Sequence, residues 1–239
     1  MRAGLIIGLV IPALNEADAI AKVLLEVPDW IDHTIVADNG STDGTVDVAQ
    51  AHGATIAHAA RKGYGAACLA GIAALPGCDV VVFMDGDHSD FPQQADRVVD
   101  PIVFEGIDMV IGSRRLGSAE RGALSPQQQF GNWLACTLIR LFWSVHYTDL
   151  GPFRAIKRQA LGQIDMQDQA FGWTVEMQLR AIQEGLVVRE VPVDYRVRIG
   201  KSKISGTVRG TVLAGHAIIG TILKTAWADR QNGKRGRNS

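Results

Sequence analysis

Hydrophobic positions along the chain follow two alternating periods. Short, almost continuous apolar runs are typical of strands buried on both faces, and apolar residues at i, i+3, i+4 and i+7 are typical of one helix face. The runs predict strands at 5–11, 34–37, 54–57, 80–84, 109–111, 153–156 and 187–197. The helical spacing predicts helices at 20–27, after the turn 39–44, and at 64–74, 93–105, 130–144, 174–184 and 207–227. Their alternation predicts an α/β fold with a mostly parallel sheet and helices on both faces.

The regularity of this pattern divides the chain. Strands and helices alternate strictly over 1–113, which predicts a nucleotide-binding half. The pattern is less regular over 114–206, so we expect a more variable second half packed onto the first. An amphipathic helix is predicted for 207–228 and a basic, disordered tail for 229–239. With 239 residues and 47% apolar content, a single domain over 1–206 with an appended helix is the expected organisation.

Charge is distributed unevenly along the chain, although its net value is only -1. From Arg189 to Ser239 there are eleven Lys and Arg against three Asp and Glu, so residues 1–188 carry a balance of -9. A basic C-terminal fifth suits phosphate ligands or an anionic membrane surface. The sequence shows no recognisable nucleic-acid-binding module and few interleaved aromatic residues, so we expect no nucleic acid partner.

The sequence has neither a clear targeting segment nor a cysteine pattern typical of disulfides. The apolar N-terminus runs into Pro12 without a small-residue cleavage site, and no segment reaches the roughly 18–20 apolar residues of a membrane span. Cys68, Cys78 and Cys136 are odd in number and widely spaced, which suits a reducing compartment rather than a disulfide framework. We therefore expect a cytoplasmic protein without a signal peptide or transmembrane segment, either free or peripheral on the cytoplasmic face of the membrane.

Two carboxylates follow the predicted strand at 80–84. Asp85 and Asp87 are separated by one glycine, and in open α/β sheets ligands bind outside the carboxyl ends of the strands. Such a pair can bind a hard divalent cation, which in turn holds a diphosphate. Aspartates are also common in ordinary turns, so the pattern alone does not decide between a site and a turn.

Polar residues at neighbouring strand ends favour a nucleotide ligand. Glu16 follows the first predicted strand and Asp38 ends the second, where either carboxylate can accept hydrogen bonds from a base or a ribose. Lys62 and Gly63 precede a predicted helix, whose free N–H groups favour phosphate. Singly, each of these residues also suits a turn or a surface position. The first strand-to-helix turn lacks the dinucleotide-binding glycine fingerprint, and the sequence has no Walker-type loop, so redox and NTPase functions are disfavoured.

Taken in order, the segments around these residues resemble family-2 glycosyltransferases of the GT-A fold, and most closely the branch that transfers sugars to dolichyl or polyprenyl phosphate. The matching segments are 12–16 (PALNE), 36–45 (VADNGSTDGT), 62–65 (KGYG), 85–87 (DGD), 112–114 (GSR), 149–154 (DLGPFR), 173–176 (WTVE), 195–196 (YR) and 200–205 (GKSKIS). They span about residues 5–206. The resemblance implies a hexosyltransferase that uses a nucleotide-diphosphate sugar, with 114–206 as its acceptor half.

The resemblance also implies a role for individual residues. Asp85 and Asp87 would hold Mg²⁺ or Mn²⁺ at the donor diphosphate, with Asp87 the more direct ligand. Ser89 stands where many relatives have a glutamine near the metal, which implies more water in the metal shell. Arg154 would meet a phosphate or pair with Asp149. The residues implied to contact the UDP- or GDP-hexose donor, or the phosphates of donor and acceptor, are Pro12, Asn15, Glu16, Asp38, Lys62, Gly63, Arg114, Arg154, Arg196, Ser202 and Lys203.

The chemistry of the acceptor decides whether a base is needed. A lipid phosphate monoester has a second pKa of about 6 and is already an anionic nucleophile at neutral pH. A hydroxyl acceptor requires a carboxylate base, for which Asp149 and Glu176 are the candidates. The basic C-terminal segments favour a polyprenyl phosphate, undecaprenyl or dolichyl, as the acceptor. We expect direct displacement, and hence inversion at the anomeric carbon.

Several alternatives stay open at this point. In one alternative, the acceptor is a hydroxyl of a polysaccharide, glycolipid or small molecule. Two others are a sugar-1-phosphate nucleotidyltransferase, which usually begins with a glycine-rich loop, and a non-catalytic nucleotide-sugar-binding protein. The helix at 207–228 either packs on the domain or contacts a bilayer. The pattern determines neither the sugar nor the nucleotide, and it leaves a homo-oligomer open.

Overall fold

Strands and helices alternate through the part of the chain that the computed structural model describes, residues 1–200 and 208–235. The strands are β1 (Ile7–Ala13), β2 (His33–Asp38), β3 (Thr55–His58), β4 (Val80–Phe83), β5 (Met109–Ser113), β6 (Arg154–Lys157) and β7 (Val188–Pro192). The helices are α1 (Ala17–Leu25), α2 (Thr45–Ala51), α3 (Tyr64–Ala74), α4 (Ala95–Glu105), α5 (Pro126–Trp143), α6 (Arg158–Ile164), α7 (Trp173–Gln183) and α8 (Val208–Arg235).

The seven strands form a single sheet in the order β3-β2-β1-β4-β6-β5-β7. All neighbouring strands are parallel except β6, which runs antiparallel to both β4 and β5. This arrangement confirms the predicted mostly parallel α/β sheet. Because β1, β2 and β4 are parallel neighbours, the loops that follow them leave the sheet at the same edge.

Hydrophobic side chains fill the space on both faces of the sheet. In β4, Val81 and Phe83 belong to the cluster on one face, and Val80 and Val82 belong to the cluster on the other. All four are almost completely buried. This two-sided burial explains why the strand has a continuous apolar run rather than an alternating one.

Helix α5 begins earlier than the predicted residue 130. Ser125 caps it in a reciprocal arrangement, in which Ser125 Oγ accepts from the Gln128 N–H and the Gln128 side chain accepts from the Ser125 N–H. Pro126 at the first helical position is compatible with this start because its missing N–H would have no helical partner there. The short helix α6 was not predicted, since its seven residues give too few turns for a clear period.

Helix α8 packs against α5 and α7, with Ile222 fully buried in the core. It continues to Arg235, so the prediction of a disordered tail from residue 229 is wrong for 229–235. The extension has a physical cause, because the Asp229 carboxylate accepts hydrogen bonds from Trp143 Nε1 and Gln183 Nε2, both at 2.8 Å. None of the helices within the described residues combines the length and apolarity that crossing a bilayer requires.

Candidate active site

A cavity of about 350 Å³ lies at the carboxyl ends of β1 and β4. The structure therefore places a ligand-sized space where parallel α/β sheets bind their ligands. It brings together six of the residues that the sequence predicted for a site: Pro12, Glu16, Lys62, Gly63, Asp85 and Asp87. These residues come from the end of β1 and from the loops after β1, β3 and β4, and they meet because those loops share one sheet edge.

Asp38 and Asn15 do not line this cavity. The Asp38 carboxylate accepts the N–H groups of Gly40 at 3.1 Å and Ser41 at 3.0 Å, so it stabilises its own turn. The Asn15 side chain likewise accepts the backbone N–H of Thr42 at 2.8 Å and joins two loops. The expected contact of Asp38 with the nucleoside is therefore not what this geometry favours.

Asn39 lines the cavity in place of Asp38, and the sequence reasoning missed it. Its side chain forms a pair of hydrogen bonds with the backbone of Gly63, donating from Nδ2 to the carbonyl and accepting the N–H at 2.9 Å. This pair joins the loop after β2 to the start of α3. Its position directly after the end of β2 was the signal that could have found it.

The N-terminus of α3 does not offer the free N–H groups that the sequence predicted for phosphate. The Gly65 N–H donates to the Ala170 carbonyl at 3.1 Å, and the Ala66 N–H donates to the Gln169 carbonyl at 3.0 Å. The glycines permit this close approach, since a Cβ on Gly65 would lie 2.0 Å from the Asp168 carbonyl oxygen. Lys62 is thus the cationic group that this segment contributes to the cavity.

Asp85 and Asp87 both line the cavity, and each is held by a neighbouring hydroxyl. Tyr64 Oη donates to Asp85 Oδ1 at 3.0 Å. Asp87 Oδ1 accepts from both the N–H and the hydroxyl of Ser89. Ser89 therefore orients Asp87 rather than extending toward a ligand of its own.

The two carboxylates fit a divalent cation. Burial, and then the negative charge of Asp87, raises the pKa of Asp85 to about 7, because two charged carboxylates repel each other where water is scarce. A cation between them would remove that repulsion. The described residues contain no group of three or more His, Cys, Asp and Glu arranged for a metal, so a donor diphosphate and water would have to complete the ligand set.

Asp90 is a buried carboxyl behind this pair that the sequence reasoning missed. Its Oδ2 accepts the backbone N–H of Asp85 at 3.1 Å, which holds the start of the turn that carries Asp85 and Asp87. Burial, and then the charge of Asp85, raises the pKa of Asp90 well above its usual value. Aspartate three residues after an Asp-x-Asp pattern was the available signal.

The basic segment after β7 contributes Arg198 to the cavity, and not the predicted Arg196. The Arg196 guanidinium donates to the His88 carbonyl at 2.6 Å, pairs with Glu26 at 2.5 Å and lies over the Phe91 ring at 4.3 Å. It therefore stabilises the turn behind the cavity. The predicted phosphate contacts Ser202 and Lys203 lie outside the described residues.

Residues 9–165 match the family described as Glycosyl transferase family 2. The chain belongs to this family. An uncharacterized glycosyltransferase of Mycobacterium tuberculosis is 34% identical over 215 residues, which cover 89% of this chain and 95% of that protein. An undecaprenyl-phosphate mannosyltransferase of Micrococcus luteus is 29% identical over 243 residues, which cover 95% and 97% of the two chains. The chain is therefore a transferase enzyme, as the sequence predicted, and the nucleotidyltransferase and non-catalytic alternatives are not supported.

Solved structures agree with this family. Glucosyl-3-phosphoglycerate synthase from Mycobacterium tuberculosis, in complex with Mn²⁺ and UDP-glucose, superposes with a TM-score of 0.77 at 25% identity. The match covers 94% of this chain and 80% of that one. The predicted GT-A fold is confirmed.

Asp149 was one of two candidate bases of this family-2 glycosyltransferase, and it does not line the cavity. Both of its oxygens accept hydrogen bonds from the Arg114 guanidinium. Arg154 is fully buried and donates instead to the carbonyls of Gly151 and Thr174. Arg114, rather than Arg154, is therefore the partner of Asp149, and neither arginine reaches the cavity.

Glu176, the other candidate base, is also outside the cavity. Its carboxylate accepts the backbone N–H groups of Gln167 and Asp168, the latter at 2.7 Å, and pairs with Arg180 at 2.9 Å. These contacts hold the loop that brings Phe171 to the cavity wall. In this glycosyltransferase Glu176 thus stabilises a loop that lines the cavity and does not line the cavity itself.

Proposed function

We propose that this glycosyltransferase moves a hexose from UDP- or GDP-hexose to a polyprenyl phosphate, with inversion and with a divalent cation. One observation carries the proposal: the cavity combines Asp85 and Asp87 with the cations Lys62 and Arg198, whereas both candidate bases lie outside it. Such a site suits an acceptor that is already anionic. The likeness to an undecaprenyl-phosphate mannosyltransferase along nearly the whole chain supports the same acceptor class.

Five polar residues of the cavity have roles in this proposal. Glu16 and Asn39 orient the nucleoside at the ends of β1 and β2, and Asp85 and Asp87 hold Mg²⁺ or Mn²⁺ at the diphosphate. A cation held there would supply charge stabilisation to the departing nucleotide diphosphate. Lys62 adds a positive charge to the lining of the cavity. The acceptor phosphate attacks the anomeric carbon without giving up a proton, so no base is required.

A second candidate is a transferase with a hydroxyl acceptor. The structural likeness to glucosyl-3-phosphoglycerate synthase favours it, because complexes of that enzyme with phosphoglyceric acid are known. A hydroxyl must lose a proton, so this candidate requires a base. Either Asp149 or Glu176 would have to give up its present hydrogen bonds before it could act as that base.

The test is a screen of UDP-glucose, UDP-galactose and GDP-mannose against undecaprenyl phosphate and 3-phosphoglycerate, with and without EDTA. We expect EDTA-sensitive transfer to the lipid phosphate and loss of transfer in Asp87→Asn. Asp47→Asn, at an exposed position of α2, is the matched control and should remain active. Transfer to phosphoglycerate alone would favour the second candidate. Full activity in EDTA or in Asp87→Asn would overturn the metal assignment.

A lipid acceptor also implies contact with a membrane surface, so we place the enzyme peripherally on the cytoplasmic face. Among the side chains of α8 that the structure describes, Leu223 and Trp227 are the large apolar ones that are exposed, and such a contact would use them. Flotation with anionic liposomes tests it: the wild-type protein should float, and the double variant Leu223→Ser, Trp227→Ser should float less. Equal flotation of the two would exclude the surface formed by Leu223 and Trp227 as the contact.

A further inference from the structure

The guanidinium of Arg198 lies between two carboxylates that belong to different loops. Its Nη2 is 3.2 Å from Glu16 Oε1 and 3.1 Å from Asp87 Oδ2. Glu16 follows β1 and Asp87 follows β4, so one side chain joins the proposed nucleoside carboxylate to the proposed metal carboxylate. A cation that bound Asp87 would therefore compete with the guanidinium for Oδ2.

The backbone on either side of Arg198 is attached to the loop that carries Asp87. The Arg196 N–H donates to the Ser89 carbonyl at 2.9 Å, and the Ile199 N–H donates to the Asp87 carbonyl at 2.9 Å. Because the backbone is held in this way, Arg198 stays close to Asp87 even when its guanidinium leaves the carboxylate. Only the side chain has to move to release Asp87.

The present position of the guanidinium also leaves one donor unused. Arg198 Nε is buried and has no hydrogen-bond partner among the described residues. A buried N–H without a partner is unfavourable, so this arrangement is less stable than one in which an acceptor reaches Nε. The phosphate oxygens of a nucleotide diphosphate are acceptors of the required charge, and an arginine can bind them with two parallel hydrogen bonds.

We propose that Arg198 is an internal competitor for the divalent-cation site. Its guanidinium neutralises Asp87 and Glu16 until a cation takes Asp87 and a nucleotide takes Glu16, and it then turns to the diphosphate. The proposal rests on the metal-dependent function proposed above. It predicts two effects of opposite sign when Arg198 is removed, because the arginine opposes the cation and favours the nucleotide diphosphate.

The experiment measures Mn²⁺ binding to the full chain by electron paramagnetic resonance of free Mn²⁺, first without nucleotide. Arg198→Gln should bind Mn²⁺ more tightly than the wild type by about fivefold, the scale of losing one competing ion pair. With saturating Mn²⁺, the same variant should bind UDP or GDP more weakly by about fivefold. Arg189→Gln, which removes an exposed arginine paired with Glu105, should change neither constant.

The outcomes separate this proposal from the proposed function. A variant that is merely misfolded would bind both ligands more weakly, and Arg198→Lys, which keeps the charge, should show smaller shifts of the same two signs. Mn²⁺ binding to the wild type that is lost in Asp87→Asn but is no tighter in an Arg198→Gln protein that is folded would overturn the competitor role and leave the metal site intact. Absence of Mn²⁺ binding to both the wild type and Arg198→Gln, with and without nucleotide, would overturn both.

Discussion

Asp149 and Arg114 form a buried ion pair with two parallel hydrogen bonds. Arg114 Nε donates to Oδ2 at 2.8 Å and Nη2 donates to Oδ1 at 2.7 Å, and the Arg114 backbone N–H donates to Oδ2 at 2.9 Å. The Asp149 side chain is only 1% exposed. The pair joins the loop after β5 to the loop before β6, so its first consequence is for stability rather than for proton transfer.

Replacement of Asp149 by asparagine should lower the free energy of unfolding by about 3–5 kcal/mol, because it leaves the Arg114 charge buried without its partner. Urea denaturation of the two proteins measures the difference. The control is Glu105→Gln, which breaks the exposed pair with Arg189 and should cost at most about 1 kcal/mol. An equal, small loss in both variants would show that the Asp149 pair contributes no more than a surface pair.

The same ion pair predicts a pH dependence of stability. Burial alone would raise the pKa of Asp149, but the charge and hydrogen bonds of Arg114 outweigh it and hold the pKa below its usual value. The stabilisation is therefore present above the unfolded pKa of about 3.9 and is lost as pH falls through the folded pKa. The stability difference between wild type and Asp149→Asn, measured in urea from pH 7 to pH 3, should shrink only at the acid end. A difference that shrinks between pH 7 and 5 would contradict this.

The strands and most helices could be predicted from the sequence because their signal is local. The run at 80–84 is apolar at every position since both faces of β4 are covered, and α3 has the predicted bounds. The short helix α6 carries too few residues for a period. The end of α8 depends on Asp229 meeting Trp143, a contact between distant parts of the chain that no local pattern contains.

The same distinction applies to the candidate site. Strand ends placed Glu16, Asp85 and Asp87 correctly because each lies just after a predicted strand. Arg196 was predicted and Arg198 was missed, because which of the two arginines lines the cavity depends on how the segment after β7 pairs with the loop after β4. The prediction of free N–H groups at the start of α3 was wrong for a similar reason. A loop about a hundred residues later in the chain accepts hydrogen bonds from these groups.

Gly65 and Gly131 are both helical glycines, and alanine should have opposite effects at the two positions. A Cβ at Gly65 would meet the Asp168 carbonyl oxygen at 2.0 Å, so Gly65→Ala should displace that loop and lower stability by about 1–3 kcal/mol. A Cβ at Gly131 meets nothing within 4 Å, so Gly131→Ala should raise stability by up to about 1 kcal/mol through helix propensity. Thermal and urea denaturation check both signs. A Gly65→Ala protein as stable as the wild type would show that the loop is not held against α3.

Mn²⁺ affinity should depend on pH near neutrality, because the proposed metal ligand Asp85 would bind a cation only in its ionised form. With its pKa raised to about 7, Asp85 binds protons in competition with the metal, so affinity should fall by up to about tenfold per unit below that pH. The Tyr64 hydrogen bond lowers this pKa, so Tyr64→Phe should shift the curve to higher pH. Tyr147→Phe, outside the cavity, should leave the curve in place. Affinity that is constant from pH 6 to 8 would contradict the assignment of Asp85.

Ile222 and Leu223 are neighbours on α8 with opposite environments, and they test whether the helix is held on the domain in solution. Ile222 is completely buried among core residues near α5 and α7, so Ile222→Ala should lower the free energy of unfolding by about 2–5 kcal/mol. Leu223 is 48% exposed, so Leu223→Ala should change it by no more than about 0.5 kcal/mol. Both values come from urea denaturation monitored by tryptophan fluorescence. If the two variants unfolded with equal stability, α8 would not belong to the cooperative core, and its interior face would be available for a membrane or another partner.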